Sequence, residues 1–161
     1  MDEAVLRRAM GRFATGVTVV TTRGPDGKFE AVTANSFSTV SLDPPLVLWS
    51  LALRASSFAT FHAAGYFAVN ILGAHQIALS RHFSTPSADK LLGIPHRLGA
   101  GGCPVLEGTI AHFECRAEQV VDGGDHVIFI GRVVHASVHA GEPLVFAKGA
   151  YHLVSPLIDD A

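Results

Sequence analysis

Arg54, Ser56 and Ser57 place a guanidinium and two hydroxyls within four positions, where residues 55–63 read as a short helix. Unpaired N–H groups of a helix start, hydroxyls and a guanidinium together are the chemistry that holds a phosphate. The same residues also make an ordinary N-cap beside a solvated arginine. Thr33-Ala34-Asn35-Ser36 sets four small residues inside an otherwise extended stretch. Short polar side chains there let another group approach the backbone closely, or let a neighbouring strand pack tightly. His126 follows the Gly123-Gly124-Asp125 turn, where it can bond locally or face a ligand. Nine histidines raise the question of a metal. His135 and His139 fall on a strand end and a turn, and His75 and His82 are seven apart. No His-Glu-x-x-His pattern exists and no compact histidine cluster has a clear carboxylate partner, so no metal is expected. Gly101-Gly102 has neither a strand before it nor a helix after it, so it is no dinucleotide-binding fingerprint. There is no phosphate-binding loop motif and no nucleophile elbow. Cys103 and Cys115 form no disulfide framework and no CxxC motif, and are expected as buried thiols.

The elements that must position these groups are mostly extended. Residues 4–13 read as a short amphipathic helix, with Val5, Ala9 and Phe13 at spacing four. The β-branched run over 17–22 is a strand, 24–27 a turn, and 29–40 extended again. After Asp43-Pro44-Pro45, strands are expected over 46–51 and 66–72, with a second short helix over 75–83. Residues 84–104 lack periodicity and read as a long excursion or lid-like loop. Residues 109–121 alternate, 122–125 turn and 127–137 return, which is a long hairpin. Two short strands, 143–147 and 151–154, close the chain. Seven or eight strands joined by turns, with short peripheral helices and no sustained βαβ rhythm, point to an antiparallel barrel.

The chain has 161 residues, which suits one domain (1–161, core about 5–154) with a full core. It is 48% hydrophobic and 16% charged, against about 25% charged in an average domain, so disorder is excluded. Such sparse charge implies that a partner subunit, a ligand or both cover part of the surface. The net charge of −2 and scattered basic residues exclude a nucleic-acid-binding face. The acidic start, Met1-Asp2-Glu3, and the lack of a long apolar run give the expectation of a cytoplasmic protein without a membrane span.

Phe13-Ala14-Thr15-Gly16-Val17-Thr18-Val19-Val20-Thr21 is followed by a second block running from Thr33 to Val47, TANSFSTVSLDPPLV. Phe67-Ala68-Val69-Asn70, Gln76-Ile77-Ala78-Leu79-Ser80 and Gly124-Asp125-His126 come next in order. This series resembles the short-chain flavin reductase family over about residues 5–154. The resemblance implies a mainly β, FMN-binding split barrel, Greek-key-like, assembled as a homodimer. It implies FMN or FAD as flavin and NADH or NADPH as hydride donor, with reduced flavin passed to a separate flavin-dependent monooxygenase. By resemblance, Thr33, Ala34, Asn35 and Ser36 face the polar edge of the flavin. Ser50, Leu51, Arg54, Ser56 and Ser57 lie in the phosphate-contacting loop. Asn70, Ser80, Arg81 and Phe83 lie near the flavin tail and ring edge, with Lys90 and Tyr151 lining the pocket. His126 is placed as the catalytic-site residue on the nicotinamide side, where it contacts the dinucleotide or influences the proton balance of reduced flavin, and is not a required base. Two alternatives remain open: a flavin-dependent reductase of another small substrate on the same barrel, and a flavin-binding protein without catalysis.

Overall fold

The computed structural model describes residues 1–158. Helix α1 (Glu3–Met10) is capped by Asp2, whose carboxylate accepts from Ala4 N at 2.8 Å, and carries an exposed Glu3–Arg7 pair. None of its residues is buried. Strands β1 (Thr15–Gly16), β2 (Thr18–Arg23), β3 (Phe29–Ala34), β4 (Ser38–Leu42) and β5 (Pro45–Ala52) follow. The stretch expected as one extended run over 29–40 is broken at residues 35–37, which separate β3 from β4. Helix α2 (Phe58–Ala63) starts three residues later than expected, because residues 55–57 form a turn that precedes it.

Strand β6 (Tyr66–Ile71) leads through a 3₁₀ turn (Ala74–Gln76) into α3 (Ile77–Ser84). The 84–104 segment expected as a structureless excursion carries β7 (His96–Leu98) and a 3₁₀ turn (Ala100–Gly102), and β7 pairs with β8 (Pro104–Leu106). Strands of three residues are too short to show a period, which is why the hairpin is invisible in the sequence. The long hairpin is present as β9 (Ala111–Gly123) and β10 (His126–Val138), and β11 (Val145–Ala147) and β12 (Ala150–His152) end the chain.

One antiparallel sheet of seven strands, in the order β3-β2-β6-β9-β10-β5-β4, forms the body. A three-stranded sheet β1-β11-β12 and the β7-β8 pair flank it. The edge strands β3 and β4 are consecutive in the chain, and no ladder joins them among the described residues. The architecture is thus mainly β and antiparallel with peripheral helices. No helix is long and apolar enough to cross a membrane among the described residues.

The core lies on both faces of β2. Val20 packs with Trp49, Phe61, Phe67 and Phe129, while Val19 packs with Leu72, Phe83, Leu106 and Leu144. Alternate side chains of a strand face opposite ways, so a strand buried on both sides needs the unbroken β-branched run read at 17–22. Trp49 is fully buried, stacked on Phe129 at 5.0 Å and edge-on to Phe61 at 4.9 Å. In β10, a Cβ at Gly131 would overlap the Phe67 ring and come within 2.9 Å of Cys115 Cβ, so this glycine makes room for the aromatic core. Both cysteines are free and buried, and burial pushes the Cys115 thiol up to about 12.

Candidate functional site

A cavity of about 250 Å³ lies between the end of β3, α3 and the closing strands. Thr33, Asn35, Ser80 and Tyr151 line it, together with Val17, Ser84 and Phe146. The Thr33 hydroxyl donates to Ser80 O at 2.7 Å, tying β3 to α3. Ser80 Oγ and the Tyr151 hydroxyl are 2.9 Å apart. Phe146 meets the Tyr151 ring edge-on at 5.5 Å, because residues 146 and 151 are cross-strand partners in β11-β12. The cavity is therefore polar along Thr33, Asn35, Ser80 and Tyr151 and apolar at Val17 and Phe146. Arg81 lies outside, its guanidinium 5.7 Å from the Tyr151 ring centroid, and lines an adjoining surface hollow with His82, Thr85 and Ser87.

Ser36 and Ser50 form a second pair. Ser36 Oγ accepts from Ser50 N at 2.9 Å and donates to Ser50 O at 3.1 Å, pinning the β3-β4 connection onto β5. Beyond the end of β5, Leu53 N donates to Asp125 O at 3.0 Å, and His126 pairs with Ala52. His126 Nδ1 lies 2.7 Å from Asp125 Oδ1. A carboxylate can only accept, so Nδ1 carries the proton of this bond. That bond, with the His126 charge next and Arg54 last, holds the Asp125 carboxyl below its usual range. Ser57 is buried at the N-cap position of α2, but its side chain makes no capping bond. Arg54 and Ser56 lie in the same connection.

Several residues named from the sequence face the interior. Asn70 is fully buried: its amide donates to Val19 O at 3.0 Å and Thr21 Oγ1 at 3.4 Å, and its carbonyl accepts from Leu106 N at 2.9 Å. Phe83 and Leu51 belong to the two core clusters, and Ala34 packs against one of them. Lys90 Nζ donates to Ala31 O at 3.0 Å and Phe83 O at 3.2 Å, so it clamps the 84–104 segment to the sheet, and burial lowers its pKa. Val17, Ser84 and Phe146 also line the cavity without a signal in the sequence that marks them, because β11 is three apolar residues long and shows no period.

The sheet register brings together histidines and a carboxylate that compact spacing along the chain does not show. His112, Glu114 and His135 place their ligand atoms within 4.8 Å of one another. Pairing of β9 with β10 sets His135 opposite Glu114, a neighbourhood that spacing along the chain does not reveal.

A model of the flavin reductase like domain matches residues 10–155. The chain is 45% identical over 145 residues to the FMN reductase (NADH) SmoA of Agrobacterium fabrum, covering 90% of this chain and 82% of that protein. It is 43% identical over 146 residues to the reductase component of a flavin-dependent trigonelline monooxygenase of Acinetobacter baylyi, covering 91% of this chain and 47% of that protein. Across such curated relatives the chain spans from about half to four-fifths of their length. The solved NADH:FAD oxidoreductase SgcE6 of Streptomyces globisporus, in complex with NAD and FAD fragments, superposes with a TM-score of 0.91 at 40% identity, over 98% of this chain and 96% of that one.

Proposed function

The chain belongs to the flavin reductase-like domain family, and on that premise we propose that it is an NAD(P)H:flavin oxidoreductase acting on FMN or FAD. The observation that carries this reading is the cavity that Thr33, Asn35, Ser80 and Tyr151 make polar along one side of a largely apolar lining. Its donors and acceptors suit the carbonyls and ring nitrogens of an isoalloxazine, and Val17 and Phe146 suit the apolar end. At about 250 Å³ it takes the ring rather than a whole flavin nucleotide. The phosphate is therefore assigned outside it, to Arg81 or to Arg54 with Ser56 and Ser57. When bound, the flavin supplies the hydride acceptor and the dinucleotide the donor. The chain's own residues bind and orient. Thr33, Asn35, Ser80 and Tyr151 hold the ring edge, and the Ser36–Ser50 pair fixes the connection beside it. His126, its Nδ1 proton committed to Asp125, offers Nε2 toward the dinucleotide without acting as a base. Asn70, Leu51, Phe83 and Lys90 serve as the frame.

The seven-stranded sheet is read as the family's split barrel, with residues 35–37 linking its edge strands β3 and β4. A homodimer is proposed because large apolar side chains stand in the open on the single chain: Phe13, Leu42, Val138 and Leu157 are 79%, 96%, 84% and 92% exposed. Relatives named as reductase components support a partner monooxygenase that receives the reduced flavin. Two experiments test the reading. Flavin titration of Tyr151→Phe should give three- to tenfold weaker binding, and wild-type affinity there would remove the cavity from the account. Sedimentation of the flavin-loaded protein should give twice 17.0 kDa, and a loaded species of 17.0 kDa would refute the dimer.

A further inference from the structure

Away from the flavin cavity, β9 and β10 carry a second group of chemistry-bearing side chains. His112 and Glu114 are two apart on β9 and so share one face of the sheet; His135 on β10 is cross-strand to Glu114. His112 Nε2 and Glu114 Oε1 are 3.6 Å apart, and both residues are buried. The His139 ring stacks on His112 at 6.0 Å between centroids. A cavity of about 370 Å³, lined by Arg97, His112, His139 and Glu107, opens beside them. Arg97 occupies the middle: its Nη2 is 2.7 Å from Glu114 Oε1 and 3.0 Å from His112 Nε2. Gly99 is part of the construction, because a Cβ there would come within 2.6 Å of Glu114 Oε2.

We propose that His112, Glu114 and His135 form a site for a divalent transition-metal ion of the zinc class, held closed by the Arg97 guanidinium. Two imidazoles and one carboxylate, with a position left open to solvent, are a common zinc donor set. Metal–ligand bonds of about 2.0–2.1 Å put tetrahedral donor atoms roughly 3.3 Å apart. The His112–Glu114 spacing of 3.6 Å is a few tenths of an ångström from this, and the exposed His135 side chain, its ligand atom within 4.8 Å of both, closes the remainder by rotation. One cation already bridges the carboxylate and the imidazole. A metal ion replaces it by displacing a side chain that is half in solvent and can swing into the cavity. The buried carboxylate at the centre disfavours an anion as the occupant. Metal entry also unties β7, which carries Arg97, from β9.

The test uses Co²⁺ as spectroscopic probe on the full chain, followed by competition with Zn²⁺. One Co²⁺ per chain should give the intense visible bands of four-coordinate cobalt, and Zn²⁺ should abolish them. His135→Ala, at an exposed position that the fold does not need, should weaken binding at least tenfold. Arg97→Ala should tighten it, since the competing cation is gone. His152→Ala, an exposed histidine elsewhere, should change nothing. Absence of a one-to-one cobalt spectrum, a spectrum untouched by His135→Ala, or weaker binding in Arg97→Ala would each overturn the proposal.

Discussion

Replacing Asn70 by Ala separates a frame residue from a cofactor contact. The side chain is fully buried and its two ends join three segments: Val19 and Thr21 of β2 through the amide, and Leu106 of β8 through the carbonyl. Alanine leaves the Leu106 N–H without this acceptor in a place closed to solvent. An unmet buried donor costs about 1–3 kcal/mol, and the missing side-chain volume adds to it, for a total of about 2–4 kcal/mol. In a domain of this size each kcal/mol lowers the melting temperature by about 2–4 °C, so a fall of roughly 4–16 °C is expected. Urea unfolding followed by far-UV circular dichroism gives the stability, and quenching of flavin fluorescence gives the affinity of the folded variant. The structure predicts a large stability loss with flavin affinity within about threefold of wild type. Wild-type stability with a tenfold loss of flavin affinity would refute the reasoning and make Asn70 a cofactor contact.

Cys115 predicts a pH effect. Its thiol rises from 9.0 to about 12 on folding because burial disfavours the thiolate. A raised thiol pKa means that the unfolded chain loses the proton first. This contribution is therefore intact below pH 9 and is lost as pH climbs toward 12, by about 1.4 kcal/mol per pH unit. Urea midpoints from pH 8 to pH 11 should fall accordingly, and Cys115→Ala should flatten the slope; an unchanged slope would contradict the buried thiol. Gly131→Ala should cost about 1–3 kcal/mol through overlap with Phe67, and a thermal melt at the wild-type temperature would show the aromatic core to be looser than described. His126→Ala should slow reduction or weaken dinucleotide binding more than it weakens flavin binding. Stopped-flow reduction with both quantities unchanged would remove His126 from the site.

Much of the frame was legible in the residues themselves. The run over 17–22 yields β2 (Thr18–Arg23), with Val17 just ahead of it, and this strand is buried on both sides because both of its faces meet core. The alternation over 109–121 and the return over 127–137 form a hairpin, and Gly124 at φ +75° makes the tight reversal between them. What the chain hides is what pairing brings together. Asn70 reads as a polar residue near a site, yet it reaches Leu106, thirty-six positions away, and its role follows from that contact. Phe146 joins the cavity only through its register with Tyr151. His112 and Glu114 share a face of β9 by strand alternation, but His135 lies across the whole β9-β10 turn and joins them only through the register. The sparse charge is explained in part by large apolar side chains standing in the open on α1, β4 and the ends of the long hairpin.

The central claim is that this chain moves a hydride from a nicotinamide dinucleotide to a flavin. Anaerobic mixing of the purified protein with excess FMN or FAD, followed by addition of NADH or NADPH, tests it most directly. The visible flavin band should bleach over many turnovers, at a rate proportional to protein. A flavin that binds, as fluorescence quenching would report, and yet keeps its absorbance with both dinucleotides would contradict it.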